Sequence, residues 1–452
     1  MSIDGVKMKN KNRILGLILV IISTSLIGCS STKASTIKSG KDITFFVTSD
    51  THYLAKNLTD GGQAFQEFIN TGDGKELNYM QQIMDSFTRD IKKKKPDVLI
   101  LSGDLTSNGE KDSHLELAKR LSDIEKTGTR VYVIPGNHDI LNPYARGFKG
   151  SDQYQVSYIT KDDFSKIYGD FGYNEAISRD KNTLSYLAAP SDDVWLLMLD
   201  TAQYENNLVL GYPQTGGRID KGTMEWIKQC SALAKSKGAK LIAVMHHSLI
   251  NHSDIVSKDF TIDNSSDAIA LFKELNIDLT LSGHIHLQDI KSNNSDGKTI
   301  YDIASSCIDI YPQKYGVLKY SPKNGIDYTT TSVDVEGWAK ETNQKDKNLL
   351  NFKEYSKDSY GKRLYEKNAT RLSFSDDYTA EQVELMCETY KDIYLRYYDG
   401  DKVIVTDEIK NSEGYKLWKA SNSNKTLLKL ANLNGEVNNI LHISASSLAN
   451  DK

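Results

Sequence analysis

Between residue 42 and about residue 335, short apolar runs alternate with stretches whose apolar positions recur at helical spacing. ITFFVTSD, DVLILSGD and RVYVIPGN read as strands, separated by predicted helices near 76 to 95 and 111 to 126. A second series follows: LSYLAAP and VWLLMLD, a helix over 219 to 236, KLIAVMHH, a helix over 265 to 275, and IDLTLSGHIH. Shorter strands such as KTIYDIAS and YGVLKYS come after it. Alternation of this kind predicts an α/β layered arrangement, and the number of strands predicts two mixed sheets facing each other with helices outside them, a four-layer sandwich.

The pattern changes after about residue 337. All seven prolines lie at or before Pro322, and the tail is rich in Lys, Asn and Tyr. We therefore place a boundary between a domain at 42 to 336 and a helical C-terminal domain at 337 to 452. In TAEQVELMCETYKDIYLRYY, the residues Val383, Met386, Cys387, Tyr390, Ile393, Tyr394 and Tyr397 recur at helical spacing. Thr379 and Gln382 form a capping-box pattern at its start. A tyrosine stripe at this spacing is read as a packed face.

Composition narrows the class. A chain of 452 residues exceeds the usual size of one hydrophobic core, and 39% hydrophobic with 26% charged residues describes a globular body. A formal net charge of -4 gives no electrostatic reason for a nucleic acid polymer as partner. At the N-terminus, Lys7, Lys9, Lys11 and Arg13 precede the short apolar run ILGLILVII and then LIGC, which reads as a secretory signal over 1 to 29. LIGC resembles a bacterial lipoprotein lipobox. That resemblance implies lipidation of Cys29 and a body held at the extracytoplasmic face of a bacterial cell membrane, with a plain signal anchor as the alternative, while the polar, Ser/Lys-rich SSTKASTIKSGK reads as a flexible tether over 30 to 41. Asp4 is out of place in a basic leader, which leaves Met1 and Met8 both open as the start. Cys230, Cys307 and Cys387 have no metal-ligand spacing, and Cys230 and Cys387 read as small buried hydrophobes.

The chemistry gathers where apolar strands end. VTSDTH supplies Asp50 and His52, LSGDLT supplies Asp104, and VIPGNHDI supplies Asn137, His138 and Asp139. MHHS supplies His246 and His247, and LSGHIH supplies His284 and His286. Six of the nine histidines therefore stand at strand ends, and in open α/β sheets the carboxyl ends of strands converge on one crevice. Oxygen and imidazole donors without thiolate suit divalent manganese, iron or zinc in a catalytic role. Seven candidate ligands exceed the need of one open ion, whereas two ions sharing a carboxylate about 4 Å apart would use them all.

The order D-x-H, G-D, G-N-H-D, H and G-H-x-H resembles the calcineurin-like metallophosphoesterase family over residues 43 to 335. The resemblance implies that Asp50, His52 and His286 hold one metal, that Asn137, His246 and His284 hold the other, and that Asp104 bridges them. It also implies hydrolysis of a small phosphate ester by a hydroxide held between the ions. His138 then becomes the candidate proton donor to the leaving group, with Asp139 orienting its ring. Ser107 stands where purple acid phosphatases place a tyrosine ligand, and G-N-H-D replaces the G-N-H-E of protein phosphatases and two-domain nucleotidases. The nearest group is that of bacterial lipoproteins similar to class III cyclic-nucleotide phosphodiesterases. Three readings follow: a phosphodiesterase, a phosphomonoesterase acting on nucleotides or phosphoproteins, and a non-catalytic, metal-stabilised surface lipoprotein. Arg146 is a candidate for forked phosphate binding, with Tyr144 and His247 as further candidates for substrate contact.

Overall fold

In the sequence ITFFVT every residue except Thr44 is buried, the pattern of a strand covered on both faces, and Ile43–Thr48 accordingly lies inside a six-stranded sheet. The computed structural model describes residues 36 to 448, apart from 254, 256–257, 296, 375–376, 422–426, 428, 431–434 and 436. The predicted signal segment, Cys29 and the first part of the tether lie outside the described residues.

Ile43–Thr48 pairs in parallel with Val98–Ser102, which pairs in parallel with Arg130–Ile134. On its other side the sheet is antiparallel, running through Lys314–Ser321 and Gly325–Ser332 to Ile440–Ser444. A second sheet of seven strands has Val194–Leu199, Lys240–Met245, Leu279–Ser282 and Lys298–Ala304 as its parallel centre. Asp289–Ser295 forms one edge, and Tyr186–Ala188 with Ser178–Arg179 forms the other.

The two sheets share one core. Phe45, Leu99, Ile100 and Val133 of the first pack in the same cluster as Leu196, Val244, Leu281 and Ile303 of the second. Helices cover the outer faces. Met80–Lys94 and Lys111–Glu125 bury Phe87, Ile91, Leu117 and Leu121 in the cluster of the first sheet. Lys221–Ser236 and Ser265–Glu274 bury Trp226, Ile227, Cys230 and Phe272 against the alternate face of the second. The expected four-layer α/β sandwich is thus present, and the predicted helices are displaced by only a few residues at their ends.

The tail is helical through Phe352–Leu372, Ala380–Tyr398 and Glu413–Ala420. Thr379 and Gln382 form the capping box, and Met386, Cys387, Ile393, Tyr394 and Tyr397 are buried in a cluster that the tail shares with Ile285, Leu287 and Ala304. The tyrosine stripe is therefore a packed face. Among the described residues one element departs from the helical reading: the tail returns as the edge strand Ile440–Ser444, whose sequence ILHIS lacks strict apolar and polar alternation. No helix among the described residues is long and apolar enough to cross a membrane.

Candidate metal centre

The parallel strands of both sheets deliver their carboxyl ends to one place. There Asp50, His52 and His286 form one group able to hold a metal ion, and Asp104, His246 and His284 form another. A third group of His52, Asp104 and His138 joins them. Asp104 sits between the two sides, with Oδ2 3.3 Å from His246 Nε2 and 4.0 Å from His138 Nε2. Asn137 Oδ1 is 3.1 Å from the same His246 nitrogen. All seven residues expected to be ligands are therefore brought together.

The backbone is strained where these side chains converge. Asp50, His52, Asp104, His284 and His286 all have positive φ, between 39° and 69°. Non-glycine residues rarely adopt this region, and such strain persists where the surroundings over-determine it. Gly136 is required by a close approach, since a Cβ there would lie 2.2 Å from Asp104 Oδ1.

The nitrogen and oxygen atoms face one another in a way that calls for cations. His246 Nδ1 donates to the carbonyl of Ser102 at 2.9 Å, which leaves Nε2 pointing at two oxygens. Burial pulls this imidazole down, yet Asp104 outweighs it and pushes its pKa up to about 9. His52 Nε2 and His286 Nε2 lie 3.0 Å apart, and the buried Asp50 Oδ1, 3.3 Å from His286 Nε2, has no hydrogen-bond partner. Despite burial, the neighbouring histidines hold Asp104 well below the usual carboxylate range, and His286 does the same to Asp50 to a smaller extent. Burial, reinforced by His246, pushes His284 down to about 3. Two ionised carboxylates, beside His52 and His284 kept neutral and His246 and His286 holding protons that a cation would displace, form a donor set that fits divalent ions.

His138 stands at the rim, with Nδ1 donating to the carbonyl of Ser107 at 2.7 Å and Nε2 turned to the centre. Burial holds its pKa below the ordinary imidazole value. The expected partnership with Asp139 is not formed. The Asp139 carboxylate instead accepts from the backbone N–H groups of Leu105, Thr106 and Gly136 and from the Thr106 hydroxyl. Asp139 thus ties two ligand-bearing turns together, and Ser107 orients His138. His247 is also corrected: its Nδ1 meets the Thr201 hydroxyl at 2.8 Å and its Nε2 the Thr215 carbonyl at 3.0 Å, so both ring nitrogens are engaged by the protein.

Tyr144 and Arg146 line a cavity of about 390 Å³ beside His138. Arg146 already donates through Nε to the Tyr144 carbonyl and through Nη1 to Gln153, which removes the free fork expected of it. The same cavity is lined by Asp73 and Lys75, which the sequence reading passed over. They lie in TGDGKEL, where Gly and Asp read as an ordinary turn.

Comparison with known proteins identifies two regions. Residues 43–288 match the model of calcineurin-like phosphoesterases, and residues 334–431 match that of the C-terminal domain of cyclic nucleotide phosphodiesterase. No curated protein matches the chain. Among solved structures, a dimetal phosphatase from Danio rerio is similar at 11% identity and a TM-score of 0.44, with 64% of this chain and 95% of that one covered. GAP50, the anchor in the inner membrane complex of Plasmodium, is similar at 15% identity and a TM-score of 0.34, with 65% of this chain and 85% of that one covered. The first family model spans more than half of the 452 residues and contains every predicted ligand, and the chain belongs to the calcineurin-like phosphoesterase family.

Proposed function

We propose that this phosphoric ester hydrolase is a phosphodiesterase, with 3′,5′-cyclic nucleotides among its candidate substrates. The observation that carries the diester reading is the match of residues 334–431 to the C-terminal domain of cyclic nucleotide phosphodiesterase, joined to a complete phosphoesterase ligand set. The family implies two divalent ions, for which manganese, iron and zinc suit the donors. In our assignment Asp50, His52 and His286 would hold one ion and Asn137, His246 and His284 the other, with the Asp104 carboxylate available to both. Bound there, the ions would polarise phosphoryl oxygens and lower the pKa of water.

The protein's own groups then do three things. Ser102 and Ser107 carbonyls fix the tautomers of His246 and His138, leaving each Nε2 directed inward. His138 Nε2 is the atom that holds or passes a proton at the leaving oxygen. Asp139 keeps the Asp104 and Asn137 turns in register through its backbone donors. We further place the chain at the outer face of a bacterial membrane through lipid on Cys29, a reading that metabolic labelling with a fatty acid would test by loss of label in Cys29→Ala.

Paired assays of bis(p-nitrophenyl) phosphate and p-nitrophenyl phosphate with the manganese-loaded chain test the diester assignment. Higher kcat/KM on the diester is expected. A higher value on the monoester would move the chain to the phosphomonoesterases.

A further inference from the structure

Lys75 lies between the helix Gln63–Thr71 and the short turn Leu77–Tyr79, at the mouth of the metal centre. Its side chain is only 15% exposed, and its ammonium is 3.2 Å from Asp73 Oδ2. That same carboxylate oxygen is 3.8 Å from Nδ1 of His286, so the lysine is coupled to the centre through one side chain. Lys75 and His138 line one cavity, together with Phe68, Ile69 and Tyr144. Burial opposes its charge, but Asp73 and Asp309 outweigh burial and keep it a cation. An ammonium has three donors, and Asp73 takes one of them; the remainder suit an anionic oxygen.

The loop that carries Lys75 is held by residues almost three hundred positions away. Gly74 has φ +109°, and a Cβ there would come within 2.5 Å of the Tyr360 ring. Tyr360 belongs to Phe352–Leu372 and meets Tyr398 of Ala380–Tyr398 edge to face at 5.4 Å. From the same helix, Tyr355 reaches Glu76 at 3.3 Å, and Arg363 donates to the carbonyl of Ile69. On the other side, Glu76 N–H donates to the carbonyl of Asp309 at 2.7 Å.

We propose that Lys75 is a substrate-binding residue that takes a phosphoryl oxygen on the His138 side of the metal centre, and that the C-terminal helices position it by gripping the loop at Gly74 and Glu76. This rests on the phosphoesterase reading and adds a role for the C-terminal region. The cavity that Lys75 shares with His138 is then the leaving-group side of the site, floored by Phe68 and Ile69.

The test uses the full-length chain loaded with manganese, inorganic phosphate as the probe in a calorimetric titration, and bis(p-nitrophenyl) phosphate as substrate. Lys75→Met is expected to weaken phosphate about tenfold or more and to raise KM more than it lowers kcat, with manganese content unchanged. Lys75→Arg is expected to recover most of the affinity. Gly74→Ala forces the loop away from Tyr360 and is expected to weaken phosphate in the same direction, again with metal retained. Wild-type phosphate affinity in Lys75→Met, or no phosphate binding by the parent chain, overturns the assignment of Lys75. Wild-type affinity in Gly74→Ala overturns the positioning role. A parent chain that binds phosphate and hydrolyses no ester would instead overturn the phosphoesterase reading, leaving the phosphate titration to decide Lys75.

Discussion

His246 Nε2 faces the oxygens of Asp104 and Asn137, while its other nitrogen is committed to a carbonyl. Such an atom needs either a proton or a metal ion between itself and those oxygens, and the site repeats this demand where His52 and His286 meet. Replacing Asp104 by Asn removes the charge that both sides share, and we expect metal affinity and turnover to fall together by roughly a hundredfold or more. His138→Ala is expected to keep both metals and to lose roughly 10² to 10⁴ in kcat, the range of a general acid or base. Metal analysis beside steady-state kinetics checks both. Full activity in either variant, or metal loss in His138→Ala, would contradict the role assigned to it.

At the scale of elements, a buried histidine staples the loop after Lys240–Met245 to two strands. His252 Nδ1 is 2.7 Å from Asp289, and its Nε2 is 3.2 Å from Asp302. Asp302 in turn accepts from the backbone N–H groups of Leu249 and Ile250. Burial lowers the affinity of His252 for its proton, but the two carboxylates more than offset this and push its pKa up to about 9. A folded-state value above the unfolded one means that the imidazolium favours the folded chain. Its contribution is therefore fully present below pH 6.5, the ordinary value, and is lost as pH rises through about 9. We expect the unfolding free energy of the parent to exceed that of His252→Gln by a few kcal/mol at about pH 6, with the gap narrowing by about pH 9.5. Denaturant melts at the two pH values measure it, and a gap independent of pH would contradict the staple.

For the whole molecule, what was legible in the sequence follows from what strand ends do. Ligands placed immediately after buried apolar runs are carried to one crevice by the sheets, and the resemblance to the phosphoesterase motifs separates Asp50, His52, Asp104, Asn137, His246, His284 and His286 from the other strand-end residues. The function of Asp139 was not legible, because its partners are backbone N–H groups, which the side chains at Leu105, Thr106 and Gly136 do not advertise. His247 shares the motif of His246 but points the other way, into Thr201 and Thr215, whose positions depend on a loop with no periodicity. Asp73 and Lys75 were hidden for a related reason: a Gly-Asp-Gly-Lys run is chemically a turn until the C-terminal helices are placed against it. The tail's own packing was readable from its helical spacing, whereas its return as Ile440–Ser444 and its grip on the loop are tertiary pairings across long separations.

The central claim is that one shared carboxylate assembles two ions that together hydrolyse a phosphate ester. Its most direct test is to strip the chain of metal and follow bis(p-nitrophenyl) phosphate hydrolysis as manganese is returned. Activity that is absent from the apoprotein and saturates only when two ions per chain are bound is the predicted result. Full activity at one ion, or no hydrolysis with both bound, would contradict the account.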